Sequence, residues 1–535
     1  MRKHVILFSY ILLGGLGAYL LFYNLGGRVL WADEAETALL ARNINRFGVP
    51  RIYDGKNTVS VLGPAIDAND RGLWTWAPWL DKYIAAASFK LGGESTLSAR
   101  LPFAAAGFAA FLLAIYLAWL MYGKHKIALL AGFMLCASQM FILHSRQCRY
   151  YSILILGQVW LLFGLWQLAG GKTRRGAVNI ALALALQFYS NYTAAAGNII
   201  ALVAACAFFG RKIPGIWKGA AGAAGMFTGL VLPWVVYARV WAHGGVYVPG
   251  GFWSKMGQFA AAFNFWVLPL ALFAVPLAAY EINRSGEMKR AAELKKLSKK
   301  ARKLLAGDLP QPPAGPVSPA ALFVEKFIWL AVPVHLAVLA RAPLPVFLRY
   351  ICFLSAPAAI AAAALLVRHV RRTRAIAAVT VLFFCTNLPH MLLWPWRGTE
   401  KIGSPFLDTM REIGRPYEDR LDGILAYFKA NATPAQSVYT GDPEFGFIFY
   451  TGMKVINANF AGLALPDPLP DWIFADTASG VSSFSIRLPP AIAPAYERVD
   501  IAIRKSRYAS AIPEPAMHER FTAPDMTVFT VYRKK

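Results

Sequence analysis

The sequence predicts an α-helical membrane protein that crosses the bilayer many times and carries a small α/β domain at its C-terminal end. Of its 535 residues, 57% are hydrophobic and only 16% are charged, which is too little polar surface for a soluble protein of this size. About eleven apolar stretches approach or exceed the length needed to cross a bilayer. They lie at approximately 5–24, 98–121, 126–144, 151–169, 177–189, 193–209, 216–236, 258–281, 321–340, 346–367 and 376–395.

Basic residues occur in short clusters between these apolar stretches. The net charge is +26, but this distribution is typical of a protein that fixes its orientation in a membrane, and it argues against a nucleic-acid partner. With the N-terminus inside, the inner connections hold twenty-three lysines and arginines, whereas the short outer connections hold six. An odd number of spans then places the C-terminus outside.

Long polar segments divide the chain. Residues 1–396 form a membrane module, which includes a large outer loop with interfacial helices at 25–97 and a basic, proline-rich inner loop at 282–320. The inner loop either binds anionic lipid or is simply solvated. In residues 397–535, a helical stretch at 418–430 precedes β-branched stretches at 437–440, 472–475, 499–503 and 526–533. Helix and strand signals together predict a small outer α/β domain.

The acidic pair Asp33 and Glu34, the two candidate catalytic carboxylates, follows the first apolar stretch by a few residues. The next residues place Leu40, Ile44 and Phe47 on one face, which predicts an amphipathic helix at the membrane interface. Asp33 then either caps this helix, with a capping-box partner three residues later, or acts as a general base. In the second case its carboxylate accepts a proton from a hydroxyl that attacks an anomeric carbon delivered by a carrier lipid.

Arginines on predicted outer connections are candidates for binding the phosphate of such a lipid. Arg146 and Arg149 lie three residues apart before the fourth apolar stretch, and guanidinium groups bind phosphate oxygens well. Snorkelling toward lipid headgroups is the alternative, and Tyr150 is either a substrate contact or an interfacial anchor. Arg349 and Tyr350 lie about one turn into an apolar stretch, where a charge is costly and either functional or an anchor.

The rest of the first outer loop combines carboxylates with aromatic rings. Asp70, Asp81 and Trp76 suit contact with a sugar or an acceptor, although interfacial tryptophans also serve lipid contact. Lys82 either reaches the donor phosphate or snorkels. No histidine has the spacing of a metal ligand, so no metal-binding residue is predicted.

Several motifs together resemble the GT-C superfamily of glycosyltransferases, specifically the branch of protein-O-mannosyltransferases and lipid A aminoarabinose transferases. The similarity of layout covers the whole chain: a first span, a long outer loop with an acidic pair, many further spans and an outer C-terminal domain. The segments that carry the resemblance are DEAETALLARNINRFG, PWLDKYIAAASFKLGGESTLSARLP, SRQCRYYSILIL, FLRY, ILAYFKANATPAQSVYT and FYTG.

The resemblance implies a GT-C fold and an inverting transfer of a sugar from a polyprenyl phosphate, such as undecaprenyl phosphate. It implies that Asp33 is the catalytic base and that Arg146, Arg149 and Arg349 contact the carrier phosphate. It also implies a bacterial inner-membrane protein with a periplasmic C-terminal domain. Metal dependence varies in this superfamily, so a divalent cation stays open as a cofactor.

One departure leaves the acceptor open between lipid, glycan and protein. Aminoarabinose transferases usually have a Lys-Pro-Pro-type segment late in the first loop, whereas this chain reads WAPWLDKY, with Lys82 as the stand-in. From the residues themselves, a transporter or flippase for a polyprenyl-linked or other lipid is the alternative, and a non-catalytic lipid binder is a third. A transporter would have ionisable groups at the midplane of repeated halves, whereas the charges here cluster at the predicted outer rim.

Overall fold

The structure, a computed structural model, is mostly helical and has one small sheet near the C-terminal end. It describes residues 3–242, 250–275, 278, 317–343, 345–370, 372–389, 403–414, 420–441, 444–458, 465–474, 488–505 and 525–535. Most of the predicted inner loop at 282–320 and the predicted domain boundary after residue 396 lie outside these ranges. Both therefore stay predictions.

The helices in the described ranges include long apolar segments and shorter ones. In chain order they are α1 Lys3–Phe22, α2 Ala32–Phe47, α3 Pro64–Asp67, α4 Leu80–Gly92, α5 Thr96–Tyr122, α6 His125–Ala137, α7 Gln139–Ser145, α8 Tyr151–Ala169, α9 Thr173–Phe188, α10 Tyr192–Phe209, α11 Ile216–Tyr237, α12 Phe252–Trp266, α13 Pro319–Arg341, α14 Ser355–His369, α15 Thr373–Thr380, α16 Pro405–Gly414, α17 Arg420–Asn431 and α18 Glu444–Thr451. Short 3-10 turns occupy Val240–Ala242, Leu270–Phe273, Leu348–Leu354 and Ala493–Ala495, and a π turn occupies Val381–Cys385.

Seven helical segments in the described ranges are long and apolar enough to cross a membrane, which makes the chain a multi-pass membrane protein. They are α1, α5, α8, α10, α11, α13 and Leu348–His369, in which a 3-10 turn leads into α14. The bent pair α6 and α7 makes an eighth when it is counted as one span. Of the other predicted spans, 177–189 corresponds to α9, which has only 16 residues. The stretches 258–281 and 376–395 correspond to α12 and α15, and each ends in residues that the structure does not describe.

The third predicted span, 126–144, is broken rather than straight. Helices α6 and α7 meet at an angle of 69°. Ser138 lies at the break, and its hydroxyl accepts a hydrogen bond from the backbone N–H of Phe141 at 3.2 Å. A serine that caps a new helix in this way competes with continuation of the old one. The bend directs the chain into the segment 146–150, which carries two of the candidate arginines.

The C-terminal α/β unit consists of α17, α18 and a five-stranded sheet. Its strands are β1 Ser437–Thr440, β2 Lys454–Asn457, β3 Trp472–Phe474, β4 Tyr496–Lys505 and β5 Asp525–Lys534, in the order β2-β1-β3-β5-β4. Strand β1 is parallel to β2 and β3, whereas β5 is antiparallel to both β3 and β4. The two helices cover one face, where Phe428 packs against Phe447 and Trp472. The predicted fold class, a polytopic helical protein with a small α/β unit, is confirmed.

Helix α2 confirms the amphipathic helix that the sequence predicts, but protein rather than lipid covers most of its apolar face. Leu40 and Ile44 are buried, whereas Phe47 at the end of the helix is 41% exposed. The buried face belongs to a core that includes Phe89 of α4 and Phe445 of the C-terminal unit. Helix α2 is therefore held between α4, in the same outer loop, and the C-terminal unit. The N-terminal turn of α2 carries Asp33.

Candidate functional site

The candidate site is a group of charged side chains that four separate parts of the chain bring to one end of the helix bundle. The first two turns of α2 supply Asp33 and Glu36, the segment before α8 supplies Arg149, and the 3-10 turn Leu348–Leu354 supplies Arg349. Helix α4 adds the neighbouring pair Asp81 and Lys82.

Asp33 is the second residue of α2, and its side chain is 20% exposed. The Oδ2 atom lies 3.6 Å from Nη2 of Arg349 and accepts a hydrogen bond of 3.5 Å from the Tyr151 hydroxyl. Asp33 is not the helix cap, because α2 begins at Ala32 and Glu34 accepts the N–H of Trp31 at 3.4 Å. The capping interpretation of Asp33 is therefore wrong, and its carboxylate is available to face the charged group.

Arg349 lies among aromatic rings. Its guanidinium carbon is 3.9 Å from the centre of the Phe347 ring and 5.5 Å from that of Trp31. Tyr350, predicted to contact sugar or acceptor, is half-buried beside it, with its ring centre 5.8 Å from the same carbon. Rings on several sides favour a guanidinium, since the cation interacts with their faces. The aromatic contacts restrict Arg349 to the neighbourhood of Asp33.

Arg149 is bound to α2 through two side chains. Its Nη1 atom lies 2.9 Å from Glu36 Oε1 and 2.8 Å from Thr37 Oγ1, and Nη2 lies 3.2 Å from Glu36 Oε2. Burial raises the pKa of Glu36, and the Arg149 guanidinium is the main influence that opposes this rise. Burial disfavours the charge of Arg149, but Glu36, Asp33, Tyr151 and Asp81 together outweigh it and hold the arginine pKa above its ordinary value. The prediction that Arg149 contacts phosphate therefore requires a ligand that shares this arginine with Glu36.

Glu34, predicted as catalytic with Asp33, faces away from the charged group. It is fully buried, and Arg100 donates to it twice, at 2.9 and 2.7 Å. The backbone N–H of Cys148 donates to the same carboxylate at 2.6 Å. Both oxygens of Glu34 therefore already have hydrogen-bond donors. Through them Glu34 links α2 to α5 and to the segment that carries Arg149. This geometry does not favour the predicted catalytic role of Glu34.

Lys82 and Asp81, predicted to contact phosphate and sugar, are paired with each other. The ammonium group lies 3.0 Å from Asp81 Oδ1, and both side chains are almost completely buried. Lys82 also lies 5.8 Å from the centre of the Trp74 ring. In this arrangement neither side chain snorkels to a lipid surface.

Arg146, also predicted to bind phosphate, is turned toward the end of α1. It donates to the backbone carbonyls of Leu20, Tyr23 and Asn24 at 2.8, 2.9 and 3.4 Å. The last carbonyls of a helix have no partner within the helix, so a guanidinium that reaches them acts as a C-terminal cap. The structure brings Arg149 and Arg349 to Asp33 but leaves Arg146 at this cap.

The remaining predicted contacts lie at different distances from the group. Tyr150 is near it, with its ring centre 5.7 Å from the guanidinium carbon of Arg149, and its hydroxyl accepts from Asn191 at 3.2 Å. Trp76 packs against the core beneath α2. Asp70 is exposed on the loop between α3 and α4. Among the residues that the structure describes, no hydrogen bond or ion pair joins Asp70 to the group.

Sequence reasoning missed Tyr151 and Glu36 as parts of the site, and Arg100 as the partner of Glu34. A charge in the first turns of a long apolar helix indicates a buried partner, and Arg100 fits that rule as the fifth residue of α5. No comparable signal marks Tyr151, whose role depends on a contact across the fold. In the described part of the chain, no group of three or more His, Cys, Asp or Glu side chains could hold a metal ion.

Fold and site together define a multi-pass helical membrane protein with a partly exposed carboxylate beside arginines at one end of the bundle. Neither a protein-family model nor a curated protein matches the chain. Its structure is similar to the crystal structure of ArnT from Cupriavidus metallidurans bound to undecaprenyl phosphate. The two share a TM-score of 0.54 and 13% sequence identity, over 84% of this chain and 85% of the ArnT chain.

The apo form of the same ArnT aligns over equal shares with 14% identity and a TM-score of 0.45. At such low identity the similarity to the undecaprenyl phosphate complex establishes the fold alone. The chain has the GT-C fold of ArnT, and the predicted resemblance to this branch is confirmed at the level of the fold.

Proposed function

We propose that the chain is an inverting glycosyltransferase that moves a sugar from a polyprenyl-phosphate donor to an acceptor at the outer face of a bacterial inner membrane. One observation carries this proposal: the Asp33 carboxylate lies 3.6 Å from the Arg349 guanidinium. In this proposal Asp33 is the proton acceptor and Arg349 the phosphate contact, so the two roles belong to adjacent side chains. The fold supports the donor class, because the similar ArnT structure contains undecaprenyl phosphate.

The reaction needs one base and one cationic site. As the acceptor oxygen attacks the anomeric carbon, its proton passes to the Asp33 carboxylate. The bond between that carbon and the phosphate oxygen breaks, and the polyprenyl phosphate leaves with the electron pair. Arg349 stabilises the departing phosphate through charge-assisted hydrogen bonds. Because the nucleophile enters opposite the leaving group in a single displacement, the configuration at the anomeric carbon inverts.

The other predicted residues have supporting roles in this proposal. Arg149 contributes positive charge next to the phosphate while it stays bound to Glu36. Tyr150 and Tyr350 line the approach to Arg349, and the Asp81–Lys82 pair helps to shape the floor beneath the site. Asp70 and Trp76 stay predictions for contact with sugar or acceptor.

The first test replaces Asp33 by Asn, which keeps the shape of the side chain but removes its basicity. The full-length protein in nanodiscs is supplied with radiolabelled undecaprenyl-phosphate-linked pentoses and hexoses, and with an envelope extract from a strain that lacks the protein. Released undecaprenyl phosphate measures turnover. We expect a fall in kcat of roughly 10²- to 10⁴-fold, which is the usual contribution of a general base. Glu497→Gln, at an exposed position of β4, is the matched carboxylate-to-amide control.

Arg349→Lys tests the phosphate role separately. Lysine keeps the charge but loses the planar fork of donors, so we expect undecaprenyl phosphate to bind about tenfold more weakly. Arg174→Lys, at an exposed position, is the control. Normal transfer by a folded Asp33→Asn protein would exclude the base assignment, and normal lipid binding by Arg349→Lys would exclude the phosphate role. If the Asp33→Asn protein lost transfer but still moved undecaprenyl phosphate across the membrane, a transporter or flippase would be favoured instead.

A further inference from the structure

The chain between α1 and α2 reaches Asp33 through residues that form no regular secondary structure. Two successive N–H groups in this connection are bound by side chains of the C-terminal α/β unit. Asp422 Oδ1 accepts from the N–H of Val29 at 2.9 Å, and the Tyr450 hydroxyl accepts from the N–H of Leu30 at 2.7 Å. The two sides of these contacts are 393 and 420 residues apart in the sequence. The connection therefore depends on the C-terminal unit for these two hydrogen bonds.

Arg100 satisfies the carbonyl groups of the same connection from the opposite side. It donates to the carbonyls of Leu25, Arg28 and Val29 at 3.1, 3.0 and 3.0 Å. Its remaining donors bind Glu34, the residue next to Asp33. An irregular segment whose N–H and C=O groups are both bound by side chains has few alternative conformations. The start of α2 is thus held between α5 and the C-terminal unit.

Tyr450 connects more than one element. Its hydroxyl is also 2.7 Å from the hydroxyl of Thr96, the first residue of α5. Burial raises the pKa of Tyr450 to about 12, so the hydroxyl is protonated at neutral pH. One proton and two lone pairs allow it to serve Leu30 and Thr96 together.

Docking of the C-terminal unit does not rest on these contacts alone. Lys56 donates to the carbonyls of Pro434 and Gly452 at 2.6 and 2.7 Å. Asn57 donates to the carbonyl of Met453 at 3.0 Å and accepts from the N–H of Val455 at 2.8 Å. Loss of the Tyr450 hydroxyl would therefore leave the unit docked and would act on the connection before Asp33.

We propose that Tyr450 and Asp422 are positioning residues for the Asp33 carboxylate, so that the C-terminal unit completes the catalytic site of the membrane module. This inference rests on the proposed transferase function. Leu30 precedes the first residue of α2 by two positions, so a shift there tilts the turn that carries Asp33. A misplacement of about 1 Å can reduce a reaction rate about 100-fold.

The test compares Tyr450→Phe with Tyr427→Phe, which removes a hydroxyl from α17 of the same unit. Turnover of the labelled undecaprenyl-phosphate-linked sugars and binding of undecaprenyl phosphate are measured on the full chain. We expect Tyr450→Phe to lower kcat about tenfold, within the range that misplacement allows, and to leave lipid binding within twofold. Tyr427→Phe should have neither effect. Asp422→Asn keeps an acceptor oxygen and should retain activity that Asp422→Ala loses.

A double variant separates positioning from general damage. If Tyr450 acts through Asp33, adding Tyr450→Phe to Asp33→Asn lowers the residual rate no further. Full additivity, or normal turnover by Tyr450→Phe, would overturn the positioning role. Normal turnover by Asp33→Asn would overturn the proposed function itself, so the two failures are distinguishable.

Discussion

The arginines near Asp33 illustrate how the same residue type takes different roles through its partners. Arg146 is committed to carbonyls at the end of α1, and Arg149 to the Glu36 carboxylate. Arg349 contacts Asp33 at the longer distance of 3.6 Å and is held by aromatic rings. The contact between Arg349 and Asp33 is longer than the 2.9 Å contact between Arg149 and Glu36, so a phosphate would replace it more easily. For this reason we propose Arg349, rather than Arg149, as the main phosphate contact.

Arg149→Ala tests this distinction. The change leaves the buried Glu36 without its counter-charge, which typically costs about 3–5 kcal/mol of unfolding free energy. We expect a clear fall in the melting temperature of the purified protein, measured by the fluorescence of its tryptophans. The double change Glu36→Gln and Arg149→Gln should recover much of the loss, because no isolated charge is left. An Arg149→Ala protein that melts normally but no longer binds undecaprenyl phosphate would instead make Arg149 a direct phosphate ligand.

At the level of elements, the span Leu348–His369 connects the site to the opposite end of the bundle. Arg349 lies at its first turn, and Arg368 near its last. Arg368 donates to both oxygens of Glu325 on α13, at 2.9 and 2.6 Å, and the Tyr122 hydroxyl of α5 donates to the same carboxylate at 3.2 Å. Three helices are thus joined at the end away from Asp33. Helices α8, α9 and α10 are joined in their interior by the buried amides of Gln158, Gln187 and Asn198.

Arg368→Ala should therefore reduce stability without a specific effect on chemistry. The pair is only partly exposed, so we expect a loss of about 1–3 kcal/mol, between the values for surface and buried ion pairs. Thermal unfolding measures this loss, and kcat is measured well below the melting temperature. Arg174→Ala, at an exposed position, is the control. A selective fall in kcat with unchanged melting would show that the far end of this span is coupled to the site.

The distribution of lysine and arginine predicts the orientation of the whole molecule in the membrane. The loop that carries Asp70 should face outward, and the connection that carries Arg174 should face inward. All five cysteines are buried, so background labelling of the intact protein should be low. The proposed outer-face chemistry depends on this orientation.

A cysteine introduced at Asp70 or at Arg174, both exposed, tests the orientation in intact cells with a maleimide that does not cross the inner membrane. We expect Asp70→Cys to react in intact cells and Arg174→Cys to react only after the membrane is disrupted. The reverse pattern would place the Asp33 site on the inner face and would exclude transfer at the outer face.

Local patterns were sufficient to predict the membrane class, helix α2 and most of the C-terminal unit. Apolar length, charge clusters and β-branched runs are properties of neighbouring residues, so they can be recognised in the sequence before the fold is known. Strand β2, Lys454–Asn457, was not predicted. The break between α6 and α7 escaped prediction because an apolar stretch alone does not indicate where a serine will cap a new helix.

The partners of each charge were decided only by the tertiary structure. Asp33, Arg149 and Arg349 are candidates from residue type and position, but their sequence separation contains no information about which carboxylate meets which guanidinium. Glu34 and Arg146 have the same chemistry as Asp33 and Arg349, yet packing turns the first to Arg100 and the second to the end of α1. Burial makes an unpaired charge costly, so the fold as a whole selects these pairs. The support that Tyr450 gives to Leu30 likewise exists only because folding brings the C-terminal unit onto the first loop.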